Sequence, residues 1–218
     1  MERLGRCVEL NLKKMKLIVI TSENIIERET EKVIWLLENG ATRIHLRKPD
    51  WTERQVKKWL ESIPMDYLPQ ITIHNKVELA KQIGVGGIHG NRNISESDLN
   101  AIQRTVKRSL LISHSCHSIE ELREKDKWDY CFLSPIFDSV SKKGYKRAFD
   151  DKSLEYARAE GLIDEKIIAL GGITAENIRM VRNWGFGGVA MIGAVWNQSE
   201  NDEVFKQNWQ RICQEVQN

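Results

Sequence analysis

The chain has 218 residues, 41% of them hydrophobic and 29% charged, the profile of a globular protein with room for one large domain or two small ones. Lys and Arg number 33 against 31 Asp and Glu, a net charge of +2, which gives no nucleic-acid footprint unless the basic residues concentrate on one face. No apolar run approaches the roughly 18 residues that a membrane span requires, so neither nucleic acid nor a membrane is expected as a partner.

The four cysteines, Cys7, Cys116, Cys131 and Cys213, are scattered without a C-x-x-C pair. That usage suits a reduced, cytoplasmic protein better than a disulfide scaffold. Residues 1–15 lack the apolar centre of a signal peptide. They read as an N-terminal extension, or as sequence ahead of a true start at Met15, before one domain over 16–218.

In chain order, short apolar runs alternate with amphipathic ones. "LIVIT" (17–21) is the first strand. "RIHLR" (43–47) is the second, with Arg43, His45 and Arg47 on one face and Ile44 and Leu46 on the other, the alternation of a strand. Thr52 and Gln55 then make a capping box, and Val56, Trp59, Leu60 and Ile63 mark one helical face. "ITIH" (71–74), "GGIH" (86–89) and "LLISH" (110–114) are the third, fourth and fifth strands. Ser118 with Glu121 predicts a second capping box and a helix at once after it. "YCFLS" (130–134) and "KIIAL" (166–170) follow, Thr174 caps a helix carrying Ile178 and Val181, and "GVAMI" (188–192) is the eighth strand. Phe205, Trp209, Ile212 and Val216 form the core stripe of a closing helix.

Strict strand–helix alternation implies parallel strands joined by crossovers. Eight such units in about 200 residues favour a single (β/α)8 barrel over an open doubly wound sheet. Its chemistry is then expected at the C-terminal ends of the strands.

All five histidines fall there: His45, His74, His89, His114 and His117. Each could serve only to satisfy a neighbouring carbonyl. A metal held by His114, His117 and Cys116 is the first functional reading to weigh. It lacks the His-x-His pair and the flanking acid that strand-end zinc sites use, so no metal is expected. Proton handling suits His117 better, since a helix start after it brings backbone N–H groups beside an imidazole that can take and return a proton. His114, one position inside the strand, is expected to pack.

Glycine turns supply the other theme. "ALGGIT" (169–174) and "AMIGAVW" (190–196) end strands 7 and 8, where barrels recurrently bind phosphate on backbone N–H groups. "SPIFDSVSKKGYKRAFD" (134–150) is long for a βα loop and holds Lys142, Lys143, Lys146 and Arg147. It reads as a lid or as a solvated basic turn.

"RIHLRK", "HNKVELA", "GGIH", "SHSCHS", "SPIFDSVSKKG", "ALGGIT" and "VAMIGA", in this order and spacing, resemble the thiamine-phosphate synthase and thiazole tautomerase family. The likeness runs from about Lys16 to Asn197. It implies a (β/α)8 barrel, a small-molecule thiazole phosphate as ligand, and a place in thiamine biosynthesis, and it leaves room for a homo-oligomer. By resemblance, Gly171, Gly172, Ile192 and Gly193 bind phosphate, Ser115, Lys142 and Lys143 the substrate, and His117 matches the tautomerase's acid and base.

The synthase branch joins an aminopyrimidine pyrophosphate to the thiazole phosphate, with Mg2+ as cofactor; the tautomerase branch moves a proton and uses none. The synthase pattern at strand 2 has a glutamine where His45 stands, the same arginine as Arg47, and a lysine at Pro49. Its Asn-Asp at strand 3 is here His74 and Asn75, and "HGNRNIS" (89–95) has neutral groups and Arg92 where a second acid is usual. His45, Arg47, His74 and Asn75 remain candidate substrate contacts. Magnesium wants carboxylate oxygens, so tautomerisation is expected ahead of synthesis, with the synthase as alternative. A catalytically silent phosphate-binding regulatory barrel is the third reading.

Overall fold

Alternation within each strand divides the apolar residues between two cores. Ile44 and Leu46 of the second strand point outward into a large cluster beneath the helices, together with Val19, Ile73, Ile88, Ile112, Leu133 and Val189 from neighbouring strands. Their inward neighbours Ile18, Ile20, Tyr130, Phe132, Ile168 and Ala190 form a smaller plug inside the barrel. A parallel sheet closed on itself buries both faces, so both sets are needed.

The structure is a computed structural model and describes residues 15–90, 110–138 and 146–217. Its strands are β1 (Lys16–Ile20), β2 (Arg43–Leu46), β3 (Ile71–His74), β4 (Gly87–His89), β5 (Leu111–Cys116), β6 (Tyr130–Leu133), β7 (Ile167–Leu170) and β8 (Gly188–Met191). They pair in parallel in chain order, and β8 returns to β1 to close the barrel. All eight expected strands are present, with ends shifted by a residue or two, and the fold is the single (β/α)8 barrel that the alternation implied.

The described helices are α1 (Glu29–Glu38), α2 (Glu53–Glu61), α3 (Val77–Ile83), α4 (Asp151–Ala159), α5 (Ile178–Asn183), α6 (Gly193–Trp196) and α7 (Asp202–Gln217). The Thr52–Gln55 capping box opens α2, and Val56, Trp59, Leu60 and Ile63 are all buried. The stripe of Phe205, Trp209, Ile212 and Val216 is buried along α7. None of the described helices is long and apolar enough to cross a membrane.

The segment after β5 departs from expectation. Residues Glu120–Lys127 form 3-10 turns in which only Leu122 is buried. One apolar residue in eight gives no stripe to hold an α-helix against the barrel. Ser118 Oγ does accept from the Glu121 N–H at 3.3 Å, but the Glu121 carboxylate accepts from the His117 N–H at 2.7 Å. The cap is thus displaced one residue towards the strand end.

Behind β2, Lys48 and Glu29 form a buried ion pair at 2.8 Å, with side chains 0% and 6% exposed. The second Glu29 oxygen accepts from Trp59 Nε1 at 3.1 Å, which ties α1, α2 and the β2 end together.

Candidate active site

A cavity of about 580 Å3 opens where the eight strands end. Arg47, His74, His89, Ser115 and His117 line one side; the turns Gly171–Thr174 and Ile192–Ala194 line the other, with Phe132 and Ile20 beneath. No carboxylate is among its described lining residues.

His117 stands on the rim. Its Nδ1 lies 3.2 Å from the carbonyl oxygen of Ser134 and 3.4 Å from Ser134 Oγ. A carbonyl only accepts, so Nδ1 carries the proton in that contact and Nε2 keeps the lone pair. His114 points the other way, into the helix layer, where its ring stacks on Trp128 with centroids 4.6 Å apart. Cys116 is buried in the outer core with Cys131. The residues of the weighed His114–Cys116–His117 metal set therefore face three different surroundings.

The register assembles a different group. His74 pairs with His89 across β3 and β4, and His45 stands beside Thr72, two residues earlier on β3. The shear of the barrel brings all three rings to one level. His45 Nδ1 is 3.1 Å from His74 Nε2, and His45 Nε2 is 2.6 Å from the Tyr130 hydroxyl. His89 contacts Ser113 Oγ through Nδ1 at 2.9 Å and Ser115 Oγ through Nε2 at 3.0 Å. Burial, and then the neighbouring rings, hold His45 well below the usual histidine range. Burial does the same to His74 and lowers His89 to about 3. All three are neutral at physiological pH.

The glycine turns have a packing reason of their own. Gly171 and Gly172 adopt φ of +97° and +64°, and a Cβ on Gly172 would fall 2.4 Å from the Asp138 carbonyl oxygen. Ile136 and Phe137 donate to the carbonyls of Leu170 and Gly171, so the start of the 134–150 loop runs along this turn. Asn177 was not visible as a site residue, yet its side chain accepts from the Thr174 N–H at 3.0 Å and donates to the Gly172 carbonyl at 2.9 Å. Gly193 opens α6, where an N–H has no intrahelical acceptor.

Other expected residues fall differently. Arg47 lines the cavity and is ion-paired with Glu23. His45 is fully buried behind His74. Asn75 is not among the lining residues: it is exposed at φ of +59°, with its N–H donating to the His89 carbonyl at 3.2 Å. Lys142, Lys143, Arg92 and Asn93 lie outside the described residues. Arg147, read as part of a basic loop, packs over Phe137 and Trp184, and its N–H closes the loop base on Asp138 Oδ1 at 2.6 Å.

A closed parallel barrel with a ligand-sized cavity at its C-terminal mouth defines a barrel enzyme acting on a small molecule. The model of the thiamine monophosphate synthase family matches residues 17–195. A thiamine-phosphate synthase of Pyrococcus abyssi is 26% identical over 215 residues, covering 93% of this chain and 97% of that protein. One from Bacillus cereus is 31% identical over 140 residues, covering 63% and 62%. The structure of a thiamine phosphate pyrophosphorylase from Bacteroides thetaiotaomicron superposes with a TM-score of 0.78 at 30% identity, covering 93% of this chain and 98% of that one. The chain belongs to the thiamine monophosphate synthase family, whose members are enzymes of thiamine biosynthesis.

Proposed function

We propose that this enzyme acts on a thiazole phosphate, seating the phosphate on the Gly171–Gly172 and Ile192–Gly193 turns and moving a proton with His117. The observation that supports this reading is a histidine, His117, lining a cavity that has no carboxylate among its described lining residues. The Ser134 carbonyl fixes the tautomer of His117, so Nε2 can take a proton from a ring carbon. The same carbonyl stabilises the imidazolium until the proton is returned elsewhere on the ring. Ser115, held by His89, offers a hydroxyl to orient the ring. Loss and return of one proton is a tautomerisation and requires no second substrate.

Magnesium, which the resemblance attaches to the synthase branch, is a hard cation that prefers carboxylate oxygens. The described side chains at the ends of β3 and β4, His74, Asn75 and His89, offer imidazoles and one neutral amide but no carboxylate, and they do not fit it. No step is assigned to that ion.

A second reading has its own support. The relatives compared above carry synthase names, and Arg47 matches the arginine that the resemblance places at the pyrimidine pyrophosphate. These names favour condensation to thiamine phosphate over tautomerisation, whereas the donor set favours the reverse. One experiment separates them. The enzyme is given the carboxythiazole phosphate tautomer alone, and separately given thiazole phosphate, aminopyrimidine pyrophosphate and Mg2+. Conversion of the first without Mg2+ supports proton transfer. Pyrophosphate release only in the second mixture means that the chain is a synthase.

A further inference from the structure

We propose that His45, His74 and His89 form a site for a divalent transition metal of the zinc class, with an open coordination position facing the cavity. One ring nitrogen from each of the three lies within 4.8 Å of the others. A tetrahedral zinc with Zn–N bonds of about 2.0 Å sets its ligand nitrogens about 3.3 Å apart. His45 Nδ1 and His74 Nε2, at 3.1 Å, already match that separation. His89 supplies the third nitrogen, within 4.8 Å of the other two.

The surroundings suit a metal better than they suit three free bases. Tyr130 Oη stands behind His45, and Ser113 Oγ behind His89. Each hydroxyl can accept from the far ring nitrogen, which leaves the near nitrogen of His45 and of His89 with its lone pair for a metal, as supporting residues do for metal-bound histidines. Ser113 is fully buried while Ser115 lines the cavity, so His89 Nε2 is the nitrogen on the open side. Ligation there replaces its contact with Ser115 Oγ. Neutral imidazole is the ligating form, and burial keeps all three rings in it. His74 and His89 line the cavity, so the fourth position would take water or an oxygen of a bound molecule. Three histidines plus one exchangeable ligand is an arrangement zinc adopts at open sites, and imidazole selects zinc, copper or nickel over magnesium. The site is distinct from His117, with which it shares the cavity, and a metal bound there leaves Ser115 Oγ free to contact a ligand.

The test uses full-length protein stripped with chelator, then reloaded with Zn2+ or Co2+ and freed of loose metal. One zinc per chain is expected, together with the visible absorption of four-coordinate, nitrogen-ligated cobalt. His74→Ala and His89→Ala should weaken binding by more than the roughly 10–100-fold that a supporting residue is worth, and Tyr130→Phe by about that 10–100-fold. His114→Gln should leave stoichiometry unchanged. Failure of wild-type protein to retain metal, or a sulfur-to-cobalt charge-transfer band, overturns the proposal. Binding that is indifferent to the trio's substitutions, or displaced equally by Mg2+, does so too. Should an alanine variant not fold, the cobalt spectrum of the wild type and the Tyr130→Phe affinity still decide.

Discussion

Acidification should unfold this protein through the interior of its barrel. His45, His74 and His89 are held neutral by burial when folded, well below the usual histidine value of 6.5, and recover ordinary values when unfolded. For bases whose folded pKa is depressed, the unfolded chain binds protons first. Stability is therefore complete above about pH 6.5 and falls as pH drops. At pH 5 His89, with its folded value of about 3, favours the unfolded state by about 2 kcal/mol, and His45 and His74 add to this in the same direction. A domain is stable by only about 5–15 kcal/mol, so this loss is a large share of it. For His89, with a folded value of about 3, the loss continues to about pH 3. The assay is urea unfolding of chelator-treated protein at pH 7.5, 6 and 5, alongside His89→Gln. The unfolding free energy of the wild type should drop steeply between pH 6.5 and 5, where few carboxylates titrate, and less steeply in the variant. A flat profile over that interval, or NMR titrations near 6.5 assigned to His45, His74 or His89 in the folded protein, would refute the reasoning.

His117→Gln should keep the unfolding midpoint and change ligand affinity little while lowering turnover by roughly 10²-fold or more, the usual worth of a positioned acid or base; steady-state kinetics checks it. Lys48→Met leaves the Glu29 carboxylate buried without its cation and should cost about 3–5 kcal/mol in chemical denaturation, part of it recovered by adding Glu29→Gln. Gly172→Ala forces a side chain into positive φ against the Asp138 carbonyl, and should lose about 1–3 kcal/mol of stability together with affinity for inorganic phosphate, read by calorimetry.

The barrel was legible because a buried parallel strand announces itself. "RIHL" and "ITIH" alternate on the strand period, and the stripes of α2 and α7 repeat on the helical one. The 3-10 segment Glu120–Lys127 was misread as a helix because a capping signature stood ahead of it. A cap stops fraying but cannot replace the apolar face that "EELREKDK" lacks. The histidine trio was only half legible. Each ring could be assigned to the inner face of its own strand, but the level it reaches depends on the shear between strands. That shear sets His74 beside His89 and His45 beside Thr72, and no single strand encodes it. Asn177 was hidden for a related reason. Its side chain acts backwards on Gly172 and Thr174, where the sequence suggests only a cap.

The two halves of the mouth carry unequal weight as evidence of function. Gly171 and Gly172 are required by the backbone whatever the ligand, since both have positive φ and any Cβ there meets the loop that starts at Pro135. A glycine motif of this kind would persist in a barrel that had lost its phosphate. The trio is held by hydrogen bonds to Tyr130, Ser113 and Ser115 and not by any backbone requirement. His45 is fully buried, at a layer of the barrel that branched aliphatic residues usually fill. Isoleucine or valine there would bury apolar surface without the desolvation that three imidazoles incur. Packing alone would favour aliphatic side chains there, and a task at the β2–β4 side of the cavity is the reason we propose for three imidazoles in that layer. That side is also where the chain departs from the synthase pattern. The magnesium-dependent and proton-transfer readings therefore diverge at residues whose presence stability alone does not explain, and substitutions in the trio will discriminate between them better than substitutions in the glycine turns.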